Sequence, residues 1–161
     1  MPNAVYQEHG TIVAWRDSGA DHAITMTSLA TAAGRQGAQH DFGTAAAPRR
    51  FAWRAWITPG ATRVVGERVE VYWKSSDGTI DDNDDGTGDI AVSAVDKLRN
   101  LWLLDTIQID ENAAVPMAKS GTFEVLHRYG QPVFWNRTQN TLSATASQFG
   151  FTIVPVYDEV Q

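Results

Sequence analysis

The sequence predicts an all-β domain, an antiparallel sandwich or barrel. Three observations carry this. Apolar and polar residues alternate with a period of two, turn residues punctuate the alternating runs, and no segment holds an apolar stripe at helical spacing.

Residues 1–10 are polar, with neither a basic n-region nor an apolar core, so they read as an extended N-terminal arm rather than a leader peptide. Strands are expected over 11–16 and 23–28, separated by Asp17-Ser18-Gly19. Residues 30–48, rich in Ala, Gly, Gln and Thr, read as a long loop with a short strand at 38–42. In the next strand Phe51, Trp53, Ala55 and Ile57 point one way and Arg50, Ala52, Arg54, Trp56 and Thr58 the other. Beyond Thr58-Pro59-Gly60, Val69, Val71 and Trp73 alternate with Arg68, Glu70, Tyr72 and Lys74, which predicts one apolar and one polar face. Ser76-Asp77-Gly78 ends that strand, and the acidic stretch 80–90 resists assignment. Residues 93–99 offer at most two helical turns. Strands follow over 100–110, at Phe123 and Val125, and over 132–136 and 148–157, with Ser120-Gly121 and Tyr129-Gly130-Gln131-Pro132 as turns. The chain thus divides into the arm, 1–10, and a single domain, 11–161.

With 161 residues, 43% of them hydrophobic, the domain has material for a full core. There is no cysteine, which removes disulfides, thiolate zinc sites and thiol nucleophiles. The net charge of −6 argues against nucleic acid as a partner, and Arg49, Arg50 and Arg54, interleaved with Phe51 and Trp53, read as a strand face. No apolar run approaches the ~20 residues of a membrane helix, so a soluble protein without membrane contact is expected.

The sharpest local motif is Asp81-Asp82-Asn83-Asp84-Asp85-Gly86, with Asp89 at the ninth position, which matches the opening of a calcium loop. The twelfth position is Val92, which lacks the closing carboxylate. A solvated acidic loop is therefore preferred to a calcium site at 81–89, and no cofactor or metal site is assigned. His9, His22, His40 and His127 form no metal-binding spacing, and Asp21 and His22 would face opposite sides of a strand. No nucleophile elbow or phosphate-binding loop occurs, so no catalytic residue is assigned. Glu67, Glu70, Asp105, Asp110 and Glu124 could supply a glycosidase pair, although carboxylates on a polar sheet face are its ordinary occupants. Asn136-Arg137-Thr138 reads as a turn after a strand. Trp53 and Trp73 belong to apolar faces. Trp56 and Trp102 fall on outward faces, as candidates for a protein interface or a sugar platform, unless a second layer covers that face too.

A polar arm, a strand-rich body with long Ala/Gly/Thr loops, and a final strand at Phe149-Gly150-Phe151-Thr152-Ile153-Val154-Pro155-Val156-Tyr157 together resemble the jelly-roll decoration, or cement, proteins of tailed bacteriophages. Residues 121–140, with Arg128-Tyr129-Gly130-Gln131-Pro132-Val133, add to the likeness. The resemblance implies a jelly-roll sandwich on the outer capsid surface of a virion assembled in the bacterial cytoplasm. Its implied partners are the major capsid protein and further copies of itself, as a homotrimer, with no enzymatic activity. In that setting the arm would be ordered by a neighbour. The competing readings are a carbohydrate-binding jelly roll of a tail or head fibre and a β-sandwich glycan-degrading enzyme.

Overall fold

The computed structural model describes residues 5–18, 20–44, 49–110 and 116–160. Residues 1–4 of the expected arm, Gly19 of the first turn and 45–48 of the long loop lie outside these. Among the described residues, twelve strands form two six-stranded sheets. Sheet 1 contains β1 (Val5–His9), β2 (Val13–Arg16), β3 (His22–Ala23), β6 (Arg50–Ile57), β10 (Met117–Glu124) and β12 (Gly150–Val160). Sheet 2 contains β4 (Gly34–Gln36), β5 (His40–Asp41), β7 (Arg68–Ser76), β8 (Ile90–Val92), β9 (Trp102–Gln108) and β11 (Tyr129–Asn136).

The strand order is that of a jelly roll. β1 and β2 lie in succession along β12, and β4 and β5 in succession along β11, so each pair counts as one broken strand. With the short edge strands β3 and β8 left out of the count, eight strands remain: the first lies beside the eighth, the eighth beside the third and the third beside the sixth. In the other sheet the second lies beside the seventh, the seventh beside the fourth and the fourth beside the fifth. The pairings between long strands are antiparallel, while β2 and β3 make a short parallel pair.

Alternation places the core as expected. Phe51, Trp53, Ala55 and Ile57 of β6 meet Val69, Val71 and Trp73 of β7 across the sandwich, joined by Trp15, Phe134, Phe151 and Ile153. Trp73 packs edge-on to Trp15 and Phe123, with ring centroids 6.0 and 4.8 Å away. Gly130 of β11 makes room for this ring: a Cβ there would collide with the Trp73 indole.

The structure differs from expectation in several places. Ser120-Gly121 and Tyr129-Gly130-Gln131-Pro132, read as turns, lie inside β10 and β11 and are paired throughout, because glycines there make room for the Trp53 and Trp73 rings rather than for a turn. The segment read as an arm is extended over Val5–His9 and pairs with Val156–Val160 of its own chain, past the end of the β6 pairing. Of the predicted 23–28 strand only Ala23 pairs, in the short β3 with His22, because Asp17 draws the following turn inward by accepting the Met26 N–H and the Thr27 hydroxyl. Pairing at 34–36 and 90–92 has no alternating signal in such short pieces. The polar face of β7 is not solvated: Glu70, Tyr72 and Lys74 are buried. The long β7–β9 connection folds over it, and Val92, Leu98 and Leu101 pack on Tyr72, Val133 and Trp135 as a second small core. Sheet 2 is thus covered on both sides along β7 and β11, with Leu103 of β9 half-exposed beside the cover, and sheet 1 is covered on its inner side.

Replacing Gly130 by Ala should cost about 1–3 kcal/mol, because the enclosed Trp73 ring cannot retreat. Urea unfolding of the variant beside the wild type measures it; an unchanged midpoint would show that this contact is looser than described.

Candidate functional site

The outward face of sheet 1 is the open one. Strand alternation puts Arg50, Ala52, Arg54 and Trp56 of β6 there, with Ala14 and Arg16 of β2, Thr152 and Val154 of β12, and Thr122 and Glu124 of β10. Arg16, Arg50 and Arg54 are exposed and form no ion pair among the described residues. The Arg16 guanidinium lies 5.3 Å from the Trp56 ring centroid, a cation–π stack that half-covers the indole. Gly150 beneath Trp56 has no side chain to lift the ring, so the indole lies down on the sheet. Half-apolar and cationic, this surface contrasts with the chain's net negative charge.

At one end of this face, Arg50, Thr122, Phe123, Glu124 and Leu126 join Trp102 of β9 around a cleft of about 320 Å³. Trp102 is 47% exposed, and its ring stands at 69° to that of Phe123, centroids 6.0 Å apart. Phe123 is core, so a buried residue fixes the orientation of an exposed one. Trp102 is half-exposed, but not on an outward face as expected: it pairs with Trp73, which puts it on the inner side of sheet 2 at the open edge of the sandwich, against Phe123. The outward reading of Trp56 holds, with Arg16 as a partial cover.

The acidic motif closes on a lysine. The Lys74 side chain is 1% exposed, and its ammonium donates to the Gly86 carbonyl at 2.6 Å, to Gln36 Oε1 at 3.3 Å and to Asp81 Oδ2 at 3.2 Å. An ammonium has three N–H donors, and each has an acceptor. Gln36 completes the seat, its Nε2 donating to the Gly86 and Gly88 carbonyls and its Oε1 accepting from Asn83. The remaining carboxylates diverge. Asp82 accepts from the Ser75 N–H, Asp85 pairs with Lys97, and Asp89 binds Arg35 and Thr25. Among the described residues no three carboxylate or imidazole groups gather around one point. Burial lowers the Lys74 pKa, against the raising effect of Asp81.

The fold also joins His22 and His40, which are 18 residues apart. A ring nitrogen of each lies 2.8 Å from the other, linking β3 of sheet 1 to β5 of sheet 2. Trp15 stacks on His22 at 5.1 Å and donates its indole N–H to the Ala38 carbonyl at 2.6 Å. Burial lowers the pKa of both imidazoles; Asp21 opposes this at His22, and the charge of His22 reinforces it at His40. Neither residue carries a spacing signal, and only strand pairing brings them together.

The candidate carboxylates have separate surroundings. Burial raises the Glu70 pKa, but hydrogen bonds from Tyr72 and Arg137 outweigh it and leave the group below its ordinary value. Its effect on Tyr72, added to burial, pushes that phenol up to about 12. Glu67 accepts the Gln139 N–H, Asp105 the Thr106 N–H, Asp110 is exposed, and Glu124 borders the Trp102 cleft. Asn136 is a bracket, its buried amide donating to the carbonyls of Leu29, Ala30 and Asn140.

Replacing Lys74 by Met should cost about 3–5 kcal/mol, since Asp81, Gln36 and Gly86 would lose a buried cation; chemical denaturation reads this. The histidine pair sets a pH dependence. Both pKa values are lower folded than unfolded, so the unfolded chain takes up protons first. Their contribution is complete above about pH 6.5 and is lost as pH falls toward the folded values. Thermal melts between pH 8 and 5 should show that loss, and a His22→Gln/His40→Gln variant should flatten it.

No protein-family model matches the chain, and no curated protein matches it. Among solved structures, it is similar to murine APRIL in a crystal structure at pH 5.0, with a TM-score of 0.43 and 10% sequence identity over 95% of this chain and 98% of that one.

Proposed function

We propose that this chain is a structural protein of a virion, a capsid decoration protein whose open sheet-1 face docks on the major capsid protein. One observation carries the reading: the outer side of sheet 2 is covered along β7 and β11, whereas sheet 1 presents a half-apolar face with Trp56 and with Arg16 and Arg54, which form no ion pair among the described residues. Such a face suits a protein surface with acidic groups. Docking satisfies the guanidiniums bidentately and removes the Trp56 surface from water. Cooperation between many copies stabilises the shell, because each decoration protein binds only the assembled lattice. Association of the chain into trimers is part of the proposal, and its solution mass should then be three times 17.7 kDa.

Cosedimentation with undecorated shells of the cognate capsid tests the reading. Wild-type protein should pellet with the shells, and Arg16→Glu/Arg54→Glu should lose at least tenfold in affinity while keeping its melting temperature, since both side chains are exposed. Wild-type protein left in the supernatant, or a variant that pellets equally, would refute it.

A further inference from the structure

We propose that the cleft between Trp102, Leu126, Arg50 and Glu124 is a binding site for one or two rings of a neutral oligosaccharide. The site has three parts. Its floor is aromatic: Trp102 is half-exposed and held in one orientation by the buried Phe123, as a stacking platform needs. Its wall is Leu126, 61% exposed. Its rim is polar and of both signs, because Arg50 and Glu124 face each other directly across the β6–β10 pairing, with Thr122 beside them. Among the described residues neither Arg50 nor Glu124 forms an ion pair.

That rim selects the ligand class. An apolar occupant would desolvate Arg50 and Glu124 without replacing their hydrogen bonds. An anion would meet Glu124, and a cation would meet Arg50. A hydroxylated ring satisfies both, one hydroxyl donating to the carboxylate and a neighbour accepting from the guanidinium, while its C–H face lies on the indole. The volume of about 320 Å³ is at the small end of ligand clefts, which span roughly 300–1,000 Å³, and this limits the site to one or two rings. The argument is independent of the capsid reading, because the docking test changes Arg16 and Arg54, neither of which lines this cleft.

The test follows the Trp102 indole N–H resonance of the full chain in a heteronuclear NMR spectrum. The probes are maltotriose, cellotriose, mannotriose and chitotriose, with trigalacturonate as the anionic control, each to about 10 mM. At least one neutral trisaccharide should move the Trp102 resonance saturably and leave the buried Trp73 indole in place. Trp102→Ala should weaken binding at least tenfold and Glu124→Gln severalfold, with unchanged melting temperatures. The proposal is overturned if no neutral probe moves Trp102, if trigalacturonate binds more tightly than all of them, or if Trp102→Ala binds as well as the wild type. A Trp102 resonance that moves with protein concentration alone, so that a second copy fills the cleft, overturns it as well.

Discussion

A buried ammonium is tolerated only where each of its N–H groups meets an acceptor, and around Lys74 that requirement organises half of the molecule. The acceptors come from Gln36 of β4 and from Asp81 and Gly86 of the β7–β9 connection, so satisfying one lysine pulls a long connection down onto sheet 2. Gln36 and Lys97 then hold the loop backbone at Gly86, Gly88 and Asn83. Farther along, Val92, Leu98 and Leu101 bury Tyr72, Val133 and Trp135. A lysine on the polar side of a strand thereby becomes the seat of a roof.

The roof makes the two sides of the sandwich unequal. Over sheet 2, Asp81, Asp85 and Asp89 are matched to Lys74, Lys97 and Arg35, so three of the five aspartates of the 81–89 stretch are answered internally. Over sheet 1 there is no such layer. Arginines and a tryptophan lie on a face that nothing in the described chain covers, and the Trp102 cleft opens at one end of it. Both functional proposals concern this uncovered side. The His22–His40 bond serves a different purpose, joining the sheets where β3 and β5 are too short to hold by pairing alone.

The inward faces were legible because a period of two is local: Phe51, Trp53 and Val71 declare their side through their immediate neighbours. Lys74 was not, because its partners Gln36 and Gly86 are distant in sequence and its local pattern is that of a solvated strand face. The 81–89 motif shows the same limit from the other side. Its spacing describes a loop curled around a cation, which is how Asp81 and Gly86 are arranged, but spacing cannot say that a strand preceding the loop supplies the charge. Alternation separates Trp102 from Leu101 and Leu103, but its place on the inner side beside Trp73 requires the β7–β9 register, and its companions Arg50 and Glu124 require the β6–β10 register. A polar face rich in long side chains, followed by a loop with a small apolar group such as Val92, Leu98 and Leu101, is the signal that would have revealed the roof.

The burial of Lys74 can be read directly, since the chain has only three lysines. Brief acetylation of the native protein, mapped by mass spectrometry, should modify the exposed Lys119 first and the half-buried Lys97 more slowly. Lys74 should remain unmodified until the protein is unfolded. Acetylation of Lys74 at a rate comparable to that of Lys119 would contradict the account, because the ammonium would then face water and the roof would have no anchor.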